Sequence, residues 1–158
     1  FQPIAGFNYG AKKWKRVKDT FSMAFTVSTI FSLSLSALVF FFSKEILSIF
    51  SNDPELISKG ISPLRIMLFM YPIVNLHPLG ITLLQAIGHG KASLFLSTTR
   101  QGIYLIPLLI TLPHFLGLKA IWYAFPIADF VAVLTVIFMI IRLYKNYESR
   151  ILYSCPQK

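Results

Sequence analysis

No residue from Phe21 to Phe42 carries a charge. A helix needs about 20 apolar residues to cross the roughly 30 Å hydrocarbon core of a bilayer, so this stretch alone commits the chain to a membrane. Three further stretches have the same character. Ile61–Ala86 carries only Arg65, Ala92–Leu112 only Arg100, and Ile121–Ile141 only Asp129. The composition agrees: 55% of residues are hydrophobic and 13% charged, against about 25% charged in a soluble domain. Residues 1–10 read as the end of an earlier helix, with Gly6 and Gly10 bracketing the turn-compatible Asn8-Tyr9. The expected architecture is an all-α polytopic membrane protein. It has four complete transmembrane helices, over 21–42, 61–86, 92–112 and 121–141, the end of a fifth, and a tail over 142–158.

The connectors carry their own signals. Phe42–Phe50 reads as a short amphipathic surface segment. Asp53 suits an N-cap, Pro54 the first helical position, and Glu55 the positive end of the dipole. Gly88-His89-Gly90 reads as a helix stop and tight turn, and Gly117 as another stop. The single cysteine, Cys155, cannot form an internal disulfide, and no Cys/His metal spacing occurs. Phe1-Gln2-Pro3 lacks a basic n-region and a cleavage site, so it does not read as a signal peptide. The chain reads as a fragment of a longer one.

The net charge is +9. In a soluble protein that charge would suggest nucleic acid, but here the basic residues punctuate apolar runs and nucleic acid is not expected. Lys12, Lys13, Lys15, Arg16 and Lys18 fill the connector 11–20. Lys91 lies in the next connector on the same side, and Arg142, Lys145, Arg150 and Lys158 lie in the tail. The other side has Lys44, Lys59 and Lys119. Ten against three satisfies the positive-inside rule with both ends of the chain cytoplasmic. The basic run 12–18 is either the topology determinant or a site for anionic headgroups.

Ionisable groups at bilayer depth are costly and face a bundle interior or a wet cavity. Asp129 and Arg100 each sit about 12 Å inside their spans, from opposite faces. They are expected to pair, directly or through Gln101 or water. The pair is either an ion- or proton-linked switch or a static buried contact that fixes packing. Arg65, about 6 Å inside its span, is within snorkelling distance of the surface.

Span two contains Pro63, Pro72 and Pro78, and interior prolines bend a helix. Asn75, Pro78, Thr82 and Gln85 follow a helical spacing that places them on one face. That face is either a substrate cavity or an interhelical hydrogen-bonding seam. His77 lies off the stripe and reads as structural. Ser22, Thr26, Thr29, Ser32 and Ser36 mark a face of span one suited to close packing. Pro107 and Pro113 bend span three. Pro126, just before Asp129, is expected to bend span four and free a backbone carbonyl near the carboxylate. No paired catalytic carboxylates, nucleophile–base pair or phosphate loop occurs, so an enzyme is not expected.

The opening run Gln2-Pro3-Ile4-Ala5-Gly6-Phe7-Asn8-Tyr9-Gly10-Ala11, with Arg16-Val17 after the basic residues, resembles a signature of the multidrug and toxic compound extrusion (MATE) family, in its bacterial branch. The resemblance continues at Gln85-Ala86-Ile87-Gly88-His89-Gly90-Lys91, at Arg100-Gln101-Gly102-Ile103 with Ile106-Pro107, and at Pro126-Ile127-Ala128-Asp129. It implies a twelve-helix exporter of two pseudo-symmetric lobes, of which this chain forms part of the second. It further implies export of bulky, amphipathic, often cationic drugs or dyes by alternating access. The driving force would be an inward Na⁺ or H⁺ gradient, with no other cofactor and no bound metal. The implied partners are the bilayer of a bacterial plasma membrane, the small-molecule drugs, and the N-terminal lobe. Two alternatives stand beside this reading: an inactive structural membrane fragment, and part of a lipid-linked oligosaccharide flippase of the same superfamily.

Overall fold

A computed structural model describes residues 1–154, with side chains described through 145. Cys155, Lys158 and the side chain of Arg150 lie outside the described residues. The chain runs α1 (Gln2–Gly10), α2 (Trp14–Phe41), α3 (Ser43–Phe50), α4 (Pro54–Leu68), α5 (Tyr71–Val74) and α6 (Leu76–Ala86). It continues with α7 (Gly90–Thr98), a π-helical segment (Thr99–Leu105), α8 (Ile106–Leu116), a 3₁₀ turn (Leu118–Ala120) and α9 (Ile121–Ser154). Among the described residues there is no strand, as the long apolar runs require: only helices bond all their backbone groups within one span.

The four expected spans differ in continuity. Two unbroken helices are long and apolar enough to cross a membrane, Trp14–Phe41 and Leu118–Lys145. The expected span 61–86 is a broken one, with α4 and the α5–α6 stretch meeting at 40°. Two prolines set the breaks. A proline clashes with the carbonyl of the residue four before it. Helix α4 ends at Leu68, four before Pro72, and α5 ends at Val74, four before Pro78. The expected span 92–112 is interrupted by the π segment. Pro126, by contrast, does not break α9, which runs through it without interruption.

Two further boundaries shift. The basic stretch 11–20 is not a loop: α2 begins at Trp14, leaving a turn in which Lys12 takes a φ of 57°. Lysine and arginine are good helix formers, and their long stems carry the charge outward while the backbone stays helical. Residues 142–154, expected as a tail, prolong α9 as helix.

The connectors close as their chemistry dictates. Asp53 Oδ1 accepts the Glu55 N–H at 2.9 Å, capping α4. At the end of α6, the N–H of Gly88 donates to Gln85 O at 3.1 Å and that of His89 to Leu84 O at 2.8 Å. This paired pattern needs a left-handed residue, and Gly88 supplies it with φ 82°.

In lipid, helices associate through close packing rather than through exclusion of water. Helix α9 presents Ala124, Ala128, Ala132 and Val136, all fully or almost fully buried and four residues apart. Gly80 of α6 lies against Val136 with no space for a side chain. Gly6 brings α1 onto the end of α6, where a methyl group would stand 3.1 Å from the Ala86 carbonyl oxygen. The basic segments gather at one end, where Lys18 meets Tyr144 and a cleft is bounded by Tyr9, His89 and Arg142. The other end holds α3 and the start of α4, where Phe40, Ser58 and Tyr123 border a second cleft.

Candidate functional site

The membrane-embedded charges meet where α9 faces the π segment. Arg100 Nε donates to Asp129 Oδ1 at 2.6 Å. The Asp129 side chain is 14% exposed and that of Arg100 is 40% exposed. The contact is direct. Gln101 is exposed and does not stand between the two groups.

A second polar link joins the same two elements. The hydroxyl of Thr135 donates to Val131 O at 2.9 Å. Its hydrogen is thereby used, so Tyr104 donates its own hydroxyl to Thr135 Oγ1, at 2.8 Å. The π segment is thus tied to α9 once by an ion pair and once by a neutral bond.

Local chemistry explains why the helix changes pitch there. The Leu96 carbonyl, in the last full turn of α7, receives the Thr99 hydroxyl at 2.7 Å. It also receives His77 Nε2 at 3.1 Å, from the buried imidazole on α6. A carbonyl only accepts, so that nitrogen carries the proton. Competing side-chain donors loosen the regular ladder, and at the far end Pro107 withholds its own N–H. Single-turn π geometry inside α-helices recurs at functional sites. Here it carries Arg100.

The stripe on span two divides. Asn75 Nδ2 donates to Ser28 O at 3.2 Å and to Ser32 Oγ, so its amide lies in the seam with α2. Thr82 spends its hydroxyl on Pro78 O at 2.8 Å. Gln85 and Pro78 are exposed. On α2, Ser32 and Ser36 are buried, whereas Ser22 and Thr26 are exposed. The hydroxyl face is therefore a packing seam over its later half. Arg65 does not extend freely: its guanidinium carbon lies 4.6 Å from the Phe40 ring centroid, and Nε is 3.4 Å from Ser43 Oγ. Among the described residues no group of three or more His, Cys, Asp or Glu is placed to hold a metal ion.

Sequence reasoning singled out Arg100 and Asp129 but not Tyr104, Thr135 or the π segment. The alanine repeat on α9 was likewise missed, although small residues at four-residue spacing are a signal that could have found it.

The comparisons agree with this architecture. Multidrug export protein MepA of Staphylococcus haemolyticus (strain JCSC1435) is 25% identical over 139 residues, which is 87% of this chain and 30% of MepA. The solved MATE multidrug transporter DinF-BH in complex with R6G is similar at a TM-score of 0.82 and 39% identity, over 89% of this chain and 32% of that one. An inward-facing multidrug resistance MATE family transporter of the MOP superfamily shares the fold at a TM-score of 0.85, with 18% identity, over 94% of this chain and 35% of its own. The chain therefore spans about a third of the length of the proteins it matches. The MatE family model matches residues 1–111, the stretch from α1 through the π segment into α8, and the chain belongs to that family.

Proposed function

We propose that this chain forms part of one lobe of a multidrug efflux transporter that exports amphipathic, often cationic compounds by alternating access. Inward movement of H⁺ or Na⁺ drives the export. The observation that carries this reading is the Arg100–Asp129 contact beside the π segment. It is a part-buried ionic link between two helical segments, at a point where one of them has departed from regular helix. Membership of the MatE family and the likeness to MepA and to DinF-BH, solved with R6G, supply the substrate class.

In this mechanism the coupling ion competes for one contact. With Asp129 bound to Arg100, the π segment is held against α9. A proton on the carboxylate, or a cation beside it, weakens the ionic half of that link and leaves Tyr104–Thr135 as the remaining tie. The π segment then shifts against α9, and the breaks after Leu68 and Val74 let span two follow. Broken helices at bilayer depth are the recurring device for such motion in transporters. Both ends of the chain face the cytoplasm of a bacterial cell in this arrangement.

The test is extrusion of a cationic dye from cells expressing the full-length transporter that contains this chain, and from proteoliposomes of that transporter with an imposed pH or Na⁺ gradient. Asp129→Asn keeps the shape of the side chain and removes its charge. It abolishes gradient-driven extrusion while leaving membrane insertion intact. Undiminished extrusion by Asp129→Asn refutes the coupling role. Absence of any gradient-driven movement in the unaltered full-length transporter that contains this chain refutes the transport reading itself.

A further inference from the structure

A cleft of about 360 Å³ opens between α2 and α9 at the basic end of the chain. Phe21, Leu83 and Ile140 make its walls apolar, and Lys18, Lys145 and Tyr144 stand among its lining residues. Among the described residues, none of those lining the cleft is acidic. Lys18 is held in place: its Nζ lies 3.6 Å from the centroid of the Tyr144 ring. That contact uses the face of the ring and leaves the ammonium hydrogens available to an anion. Lys18 lies just before the charge-free run that begins at Phe21, and Lys145 just past Ile141. Both charges are therefore at the level where apolar side chains give way to headgroups.

The chemistry narrows the occupant. Two cations over a hydrocarbon slot suit a molecule with an anionic head and an apolar tail. A soluble anion leaves the slot unfilled, and a cationic drug is repelled at the mouth. Basic pockets between spans on the positive side of a membrane protein bind anionic headgroups. We propose that this cleft binds an anionic phospholipid from the leaflet on the chain's basic side. Its phosphate lies between Lys18 and Lys145, and one acyl chain runs along Phe21 and Ile140. The lipid bridges α2 and α9, the two unbroken spans.

Trp14 also lines the cleft, which gives a direct readout. The chain has two tryptophans, and Trp122→Phe leaves Trp14 as the only one, excited selectively at the red edge where tyrosine does not absorb. Bilayer nanodiscs containing the full chain are prepared with brominated phosphatidylglycerol diluted into phosphatidylcholine, or with brominated phosphatidylcholine. A lysine near the surface strengthens anionic lipid binding about fivefold. Brominated phosphatidylglycerol accordingly quenches Trp14 at a several-fold lower mole fraction than brominated phosphatidylcholine. K18Q/K145Q removes that preference, and K18R/K145R keeps it. Native mass spectrometry of the unaltered chain gives the same comparison without the Trp122 change: phosphatidylglycerol is retained over phosphatidylcholine, and K18Q/K145Q loses it. Equal quenching by the two lipids overturns the proposal. So does an equal loss of preference in K44Q/K59Q, at the other end, or displacement of the lipid by millimolar glycerol phosphate, which would mean an anion site without a place for the tail.

Discussion

Gly80→Ala tests the closest helix contact in the chain. A methyl group at Gly80 overlaps Cγ1 of Val136 and comes within 3.5 Å of Cδ1 of Ile140. Favourable carbon contacts lie at about 3.5–4.0 Å, so α6 and α9 must move apart or Val136 must turn. Turning is restricted, because valine in a helix keeps one strongly preferred rotamer and Val136 is 0% exposed. Alanine's advantage over glycine as a helix former contributes little, since spans remain helical when they separate within a bilayer or micelle. The overpacking term is left, at about 1–3 kcal/mol. Reversible unfolding in mixed micelles, followed by Trp fluorescence and circular dichroism, measures it. Val136→Ala removes the clashing methyl groups but leaves a void, and alone costs about 1–3 kcal/mol. Together the two changes refill one another's space, so the double variant is more stable than the sum of the singles by about 1 kcal/mol or more. A neutral Gly80→Ala, or strict additivity in the cycle, refutes the close approach of α6 and α9.

Three further outcomes follow from the same geometry. Arg100→Gln leaves a carboxylate that is 14% exposed without its cation and costs about 2–3 kcal/mol. Asp129→Asn leaves the more accessible guanidinium and costs less, and the double variant recovers part of the loss. Unfolding midpoints in the reverse order would refute the pairing. Asn75→Ala removes two bonds to α2 and costs about 0.6–1.7 kcal/mol while leaving dye extrusion largely intact; a folded variant that loses extrusion would place Asn75 in the substrate path instead. Pro72→Ala restores the N–H that α4 needs to continue past Leu68, so the 40° bend between α4 and α5–α6 decreases. Spin-label distances between Ser58 and Gln85 would lengthen, and unchanged distances would mean the bend has another cause.

The placement of the spans was legible because a bilayer imposes a length and a hydrophobicity that the sequence must meet. The caps were legible for a similar reason: Asp53, Gly88 and Gly117 act on their own neighbours. At 11–20 and 142–154 the helices run past the ends of the apolar stretches, because lysine and arginine end the apolar part of a helix and not the helix itself.

Continuity was less legible. Pro72 and Pro78 announced breaks that occur, yet Pro126, of the same residue type, leaves α9 unbroken. The π segment had no unambiguous local signature. Beside the local groups Thr99 and Pro107, His77 reaches the Leu96 carbonyl from another helix, which no spacing along the chain reveals.

The sequence by itself determined that the chain is a helical membrane protein and which of its segments carry the positive charge. Each of those follows from the transfer of side chains between water and hydrocarbon, a property of each residue and its near neighbours. It also marked Arg100 and Asp129, because an ionisable group in hydrocarbon is anomalous wherever it lies. Only the tertiary structure decided that the two meet at 2.6 Å, that Asn75 faces α2, and that Lys18 and Lys145 border one cleft. Those relations depend on the rotation and depth of one helix against another, set by Gly6, Gly80 and the alanine repeat of α9, where packing distances of a few tenths of an ångström decide which side chains face each other.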